Sequence, residues 1–128
     1  MSKDDLIGIY RDYIACLNAQ DWQRLIKFVD ADVRHNGRRL GLSGYREMLE
    51  QDYEDIPDLQ FDIKILASDP PYIAARLAFD VVPRGDFLGL DINGRRISFA
   101  ENVFYLFRDG KIVEVWSVID KVAIERQL

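Results

Sequence analysis

One cysteine and one histidine among 128 residues exclude several kinds of site at the outset. Cys16 has no internal partner for a disulfide, so a reducing cytoplasm is the expected compartment. Its place beside Leu17 in a helical apolar pattern marks it as a small buried hydrophobe rather than a nucleophile. His35 has no second histidine, and the scattered carboxylates show no ligand spacing, so neither a metal nor another cofactor is expected. Positive charge is also short: 17 Lys and Arg against 22 Asp and Glu leave a net charge of −5. The one basic cluster, Arg38-Arg39, is too small for a phosphate-binding surface, and nucleic acid is not an expected partner. No apolar run approaches the ~18–20 residues of a spanning helix, and the opening MSKDDLIGIY lacks the apolar centre of a signal peptide. No G-x-x-x-x-G-K-[ST], G-x-G-x-x-G or G-x-S-x-G motif is present, which leaves nucleotide chemistry and the usual serine hydrolase arrangement without support.

What remains is a chain with 48% hydrophobic and 30% charged residues and no repeat, linker or low-complexity tract, as expected for one globular domain over 1–128. Ser2 and Asp5 have the spacing of a capping box, after which Leu6, Ile9, Tyr10, Tyr13, Ile14 and Leu17 recur at helical intervals. Asp21 is placed to cap a short helix, WQRLIKFV. Asp30 to Leu42 reads as a loop with a brief strand at Val33-Arg34-His35. Ser43 is placed to cap a third helix whose stripe is Tyr45, Met48, Leu49, Asp52, Tyr53 and Ile56, ended by Pro57. Strands follow at Leu59 to Leu66, Tyr72 to Val82, Ile97 to Phe107 and Ile112 to Ile119. Helices first and antiparallel strands after predict an α+β fold, three helices on one face of a curved, mostly antiparallel sheet that forms a cone around a pocket.

The last two strands carry the strongest chemical signal. Asp109-Gly110 is a two-residue turn of the kind that needs positive φ twice. With Arg108 opposite Lys111, regular pairing puts Phe107 opposite Ile112, Tyr105 opposite Glu114, Val103 opposite Trp116, Glu101 opposite Val118 and Phe99 opposite Asp120, all on one face. Glu101 and Asp120 become diagonal neighbours, roughly 7–8 Å apart at the backbone, in a pocket with Trp116, Tyr105, Phe99 and Val118. The opposite face, with Phe104, Leu106 and Val113 among its residues, is nearly as apolar. A hairpin apolar on both sides must be covered on both, which predicts a homodimer through the outer sheet face.

This order of elements, with His35-Asn36-Gly37 after the second helix, Pro83-x-Gly85-x-x-x-Gly89 leading to Gly94-Arg95-Arg96, and Asp109-Gly110-Lys111-Ile112-x-Glu114-x-Trp116-x-x-x-Asp120, resembles the nuclear transport factor 2-like superfamily. Within it, the chain resembles the SnoaL-like polyketide cyclases and the related ester cyclases. The resemblance implies a cofactor-free acid–base enzyme acting on a hydrophobic, carbonyl-rich small molecule, as in intramolecular aldol cyclisation, with Asp120 as the general acid/base. It does not specify a reaction, because one fold hosts many activities.

The residues support that role and a plainer one alike. An acid among aromatic side chains with a second acid nearby has its pKa pushed up, which suits proton abstraction next to a carbonyl; yet strand-end aspartates also cap turns or pair with lysines such as Lys121. Glu101 either tunes Asp120 or forms an ion pair with Arg76. His35 is either a loop residue or a pocket donor. Asp52, an acid on an apolar stripe, either ties its helix to the sheet through a hydrogen bond or ion pair, for example with Arg76, which is the favoured reading, or faces the pocket. Tyr53 and the other aromatics are read as core and pocket wall. A tyrosine on the first helix opposite strand carboxylates also resembles the ketosteroid isomerases, which keeps double-bond isomerisation open. The alternative of another class is a non-catalytic module that binds a small apolar ligand or serves for association.

Overall fold

The Ser2 hydroxyl accepts the Asp5 N–H at 3.1 Å while the Asp5 carboxylate accepts the Ser2 N–H at 3.3 Å, and this reciprocal cap starts α1, Lys3–Asn18. The computed structural model describes all 128 residues. One face of α1 buries Leu6, Tyr10, Tyr13, Ile14, Cys16 and Leu17; this is the stripe that the spacing predicts, except that Ile9 is only half-buried and Cys16 joins it. The next segment is a 3₁₀ turn, Trp22–Lys27, and the Asp21 side chain does not cap it. Helix α2, Gly41–Asp55, starts two residues before Ser43 and has no side-chain cap. It ends at Ile56 ahead of Pro57, because the residue before a proline is driven out of the helical region.

The stretch expected to be mostly loop holds two strands, β1 (Val29–His35) and β2 (Arg38–Arg39). They are joined at Asn36-Gly37, both with positive φ, the same turn chemistry as at Asp109-Gly110. The remaining elements are β3 (Asp62–Asp69), β4 (Tyr72–Val81), β5 (Ile97–Arg108), β6 (Lys111–Ile119) and a short α3 (Lys121–Glu125). The sheet order is β2-β1-β6-β5-β4-β3, antiparallel throughout except that β1 runs parallel to β6. The sheet does not close on itself, and the helices pack on one of its faces. On β4 that face carries Ile73, Ala75, Leu77, Phe79 and Val81, all buried. No helix is long and apolar enough to cross a membrane.

The register of the last hairpin departs from the regular one. Arg108 faces Lys111 and Phe107 faces Ile112, but Leu106 faces Glu114. Val113 is therefore an extra residue on β6, a β-bulge. Beyond it the pairs are Tyr105 with Val115, Phe104 with Trp116, Val103 with Ser117, Asn102 with Val118 and Glu101 with Ile119. Because side chains alternate with period two, one inserted residue sends every later side chain of β6 to the other face. Trp116 and Val118, expected in the pocket, lie on the outer face and are 38% and 70% exposed. Val115, Ser117 and Ile119 take the inner positions.

The far end of β6 is held by a side chain acting as backbone. The Asn36 amide donates to the Ser117 carbonyl at 3.2 Å and accepts the Ser117 N–H at 2.8 Å, while the Asn36 N–H donates to the Val115 carbonyl at 2.8 Å. The ladder continues for one more step although β1 has already turned away.

Candidate active site

With Ser117 rather than Trp116 opposite Val103, space is left between the sheet and the two long helices. A cavity of about 230 Å³ lies there. Its polar lining includes Tyr13 of α1, Tyr45 and Asp52 of α2, His35 and Asn36 at the end of β1, Glu101 and Tyr105 of β5, and Ser117 of β6. Leu17, Met48, Leu49, Phe61 and Leu77 are among its apolar walls. A smaller lobe of about 70 Å³ adjoins it and shares Asp52, Glu101, Phe61 and Ile119. The remaining walls of the lobe include Phe79, Phe87 and Phe99. Asp52 and Glu101 thus stand at the junction of a polar chamber and an aromatic one.

Burial acts on both carboxyls. Glu101 is pushed above its ordinary range by desolvation, and the Ser117 hydroxyl, which donates to its Oε2, pulls the other way. Asp52 is raised to about 7 by burial and then by the neighbouring Glu101 and Asp55 charges. No hydrogen bond holds the Asp52 carboxylate, so nothing offsets its desolvation. Burial thus moves both acids toward their neutral forms, and they differ in that Glu101 has a hydroxyl donor that favours its ionised form while Asp52 has none.

The hydroxyls above them are paired. Tyr13 and Tyr45 share a hydrogen bond at 2.8 Å, and Tyr10 donates to Tyr105 at 3.2 Å. Burial raises all four phenols, so they remain neutral donors at any ordinary pH. Whichever of Tyr13 and Tyr45 accepts within its pair keeps its own O–H for a ligand. The His35 ring lies edge-on to Tyr45, centroids 6.4 Å apart. Desolvation and the Arg38 charge lower its pKa, which leaves it uncharged near neutrality.

Of the residues singled out from the sequence, Glu101, Asp52, His35 and Tyr105 reach the main cavity and Phe99 reaches the lobe. Tyr53 does not line the main cavity; its hydroxyl donates to the Leu17 carbonyl at 2.8 Å, and its ring packs on Trp22 and Phe61. Arg76 is on the outer face, since Leu77 and not Arg76 pairs with Glu101. Its guanidinium donates to Asn102 at 2.9 Å, so the expected ties to Glu101 or Asp52 do not form. Asp120 has left the strand, and its carboxylate accepts the Ala123 N–H at 3.1 Å as the N-cap of α3. Arg76 and Asp120 both border a broad depression of about 630 Å³ that also carries Asp62, Lys64 and Asp80. The exposed, ion-paired lining of that depression gives little of the desolvation that acid–base chemistry exploits. No group of three or more His, Cys, Asp or Glu side chains is arranged to hold a metal ion.

Ser117, Tyr13, Tyr45 and Asn36 were not singled out as site residues. The Asn36-Gly37 turn could have indicated the last of these, but Ser117 reaches the cavity only through the bulge.

Comparison with known proteins decides the family. The family model for the SnoaL-like polyketide cyclases matches residues 7–128. The chain belongs to the SnoaL-like polyketide cyclase family. A crystal structure of a SnoaL-like polyketide cyclase from Agrobacterium tumefaciens is 54% identical, with 99% of this chain and 98% of that chain covered and a TM-score of 0.95. TsrD from Streptomyces laurentii shares the fold at 23% identity, with 99% and 96% covered and a TM-score of 0.84. No curated protein matches the chain.

Two outcomes follow for this SnoaL-like chain. Because Asp120 caps α3, Asp120→Ala lowers the stability by about 1 kcal/mol in urea unfolding, whereas Asp120→Asn, which can still cap, stays within a few tenths. For Asp52 the folded-state pKa of about 7 lies above the ordinary 3.8. Its neutral form therefore contributes stability that is complete below the ordinary value and is lost as pH rises through the raised one. Melting curves across that window are expected to show wild type losing stability relative to Asp52→Asn as pH increases.

Proposed function

We propose that this protein is a cofactor-free acid–base enzyme that forms and captures an enolate of a carbonyl-bearing small molecule, with intramolecular aldol closure as the reaction that fits the family. The observation that carries the reading is the pair of desolvated carboxyls, Glu101 and Asp52, facing one cavity whose other polar groups are hydroxyls, an amide and a neutral imidazole. Glu101, whose carboxylate accepts the Ser117 hydroxyl, takes the proton from the carbon beside the carbonyl. The free O–H of the Tyr13–Tyr45 pair donates to the oxygen on which negative charge develops. The enolate carbon then adds to a second carbonyl of the same molecule, and the alkoxide so formed takes the proton of Asp52. One C–C bond forms and no electrons are gained or lost. Transfer of that proton from Glu101 to Asp52, directly or through water, restores the starting state. Without a second carbonyl, return of the proton to another carbon gives isomerisation.

Support for this division of labour comes from the one difference between the two acids, the Ser117 donor on Glu101 and its absence at Asp52, because a site that performs acid and base chemistry together needs two titratable groups in unequal environments. Asp120 is not needed in this account; its carboxylate is committed to the α3 cap.

The test is Glu101→Gln, which keeps the shape and a hydrogen-bonding partner for Ser117. Loss of a positioned base is expected to lower kcat by about 10²–10⁴-fold with little change in binding. Activity should also decline as pH rises through the Asp52 pKa of about 7, since the acid is then lost. Unchanged turnover in Glu101→Gln, with Asp120→Asn inactive, contradicts the assignment.

The protein is further proposed to act as a homodimer through the outer face of the sheet. On that face Phe104 pairs across the strands with Trp116, and Val118 follows on the same side. They are 57%, 38% and 70% exposed, large apolar side chains grouped on one face as at association surfaces. Trp116→Glu is expected to shift the sedimentation coefficient from dimer to monomer at micromolar concentration; a wild-type monomer under the same conditions contradicts the proposal.

A further inference from the structure

The hydroxyl that serves the Glu101 carboxylate is itself held by a side chain that does not touch the carboxylate. Glu101 accepts one side-chain hydrogen bond, from the Ser117 hydroxyl to Oε2. Ser117 lies opposite Val103 of β5, beyond the reach of β1, whose parallel pairing with β6 ends at His35 and Val115. In an antiparallel pair, the N–H and C=O of one residue point to the same side. Both of these groups of Ser117 go to the Asn36 amide, which accepts the N–H at 2.8 Å and donates to the carbonyl at 3.2 Å. They therefore face away from β5 and leave Ser117 and Val103 as a pair with no hydrogen bond between them. Asn36 does for Ser117 what a neighbouring strand does elsewhere in the sheet.

The turn that carries Asn36 is fixed in its own right. Asn36 and Gly37 have φ of 47° and 81°, left-handed values that asparagine and glycine tolerate better than other residues. The Asn36 N–H donates to the Val115 carbonyl at 2.8 Å, and the Arg34 guanidinium donates to the Gly37 carbonyl at 2.7 Å. These contacts aim the amide at the end of β6. A hydroxyl–carboxylate bond is short and directional, and a displacement of its donor by about 1 Å breaks it. We propose that Asn36 is a positioning residue: by clamping the backbone of Ser117 it keeps the Ser117 hydroxyl on Glu101, and so governs how readily that carboxyl holds a proton. That Glu101 is a base rests on the acid–base reading; that Asn36 acts on it through Ser117 rests on the hydrogen bonds alone. The other titratable groups around this carboxyl are Asp52 and Tyr45 of α2, Tyr10 and Tyr13 of α1, His35 of β1 and Tyr105 of β5, while β4 meets it with Leu77 and β6 with Ile119. The Asn36 amide bonds to none of these side chains, only to the Ser117 backbone, so Ser117 is its route to Glu101.

The test is the pH titration of the Glu101 side-chain carbonyl ¹³C shift in wild type and four variants. Ser117→Ala removes the donor and is expected to move the Glu101 midpoint to higher pH, because a hydrogen bond to the charged form is lost. Asn36→Gly, at an exposed turn position, removes the amide while keeping the N–H to Val115 and the positive φ, so the fold is retained. It is expected to reproduce most of the Ser117→Ala displacement. In the double variant the displacement equals that of Ser117→Ala alone, since no hydroxyl is left to position. Gln127→Ala removes a matching amide clamp, on the N–H and carbonyl of Ser98 at 2.9 and 2.6 Å; the Ser98 hydroxyl reaches Asp80 and not Glu101, and the midpoint is expected to stay in place. An unmoved midpoint in Asn36→Gly overturns the proposal. So does a displacement that Asn36→Gly adds in full on top of Ser117→Ala, or one that Gln127→Ala matches. Acceleration of the keto–enol interconversion of acetylacetone, a small dicarbonyl probe, is read separately on wild type and Glu101→Gln. The expected order of midpoints with no acceleration by wild type supports the positioning role and removes the acid–base reading. Acceleration that is lost in Glu101→Gln, beside an unmoved midpoint in Asn36→Gly, overturns the positioning role and leaves the acid–base reading in place.

Discussion

Everything particular to this protein's interior depends on one extra residue in one strand. Val113 has no cross-strand partner of its own between Ile112 and Glu114, and this shifts the alternation of β6 by one for the rest of its length. A regular strand would point Glu114, Trp116 and Val118 at the helices. The indole would then occupy the space above Glu101, and the carboxyl would have a ring beside it instead of a hydroxyl. The bulge exchanges a large side chain for Ser117 and moves the indole to the outer surface, where it joins Phe104 and Val118. A cavity on one face and an apolar patch on the other thus share a single cause.

The helices supply what the sheet leaves open. Helical spacing puts Tyr45, Met48, Leu49 and Asp52 of α2 on one stripe, so an acid is carried into the interior by the same periodicity that buries its neighbours. Burial of a carboxyl without a partner is costly unless it holds its proton, and Asp52 does so at the expense of stability at higher pH. Glu101 is treated differently by its surroundings, because a hydroxyl donor lies within reach. The site is therefore asymmetric before any ligand enters, which is what separates an acid–base pair from two acids that merely happen to be close.

Much of this was legible in the residues. The capping box of α1, its buried stripe, the stop before Pro57, the four long strands and the Asp109-Gly110 turn all follow from local rules, and the inward set of β5, Glu101, Val103, Tyr105 and Phe107, was assigned to the correct side. Glu101, Asp52 and His35 stand out in the sequence as candidate site residues. The failures have physical sources. Val113 is an ordinary β-branched residue in an ordinary strand, so the bulge leaves no mark in the local pattern, and the positions of Trp116, Val118 and Ser117 were inverted by it. Strand β1 pairs in parallel with β6, a contact between residues some eighty positions apart in the chain, and its mixed burial gives no clear alternation. For Asp120 the capping role is one of the two readings its strand-end position leaves open, although a helix as short as α3 has too little periodicity to be seen in the sequence.

Two half-buried, desolvated carboxyls, Asp52 and Glu101, share one cavity and differ in their hydrogen-bond donors. Side-chain carbonyl ¹³C chemical shifts of Asp and Glu, followed against pH, test this directly. The expectation is that one aspartate titrates near 7 and one glutamate above the ordinary glutamate range, and that Glu101→Gln both removes the glutamate transition and moves the aspartate transition downward. If every carboxyl titrates in the ordinary range, or if the raised aspartate is unmoved by Glu101→Gln, the two acids do not form one site and the account is wrong at its centre.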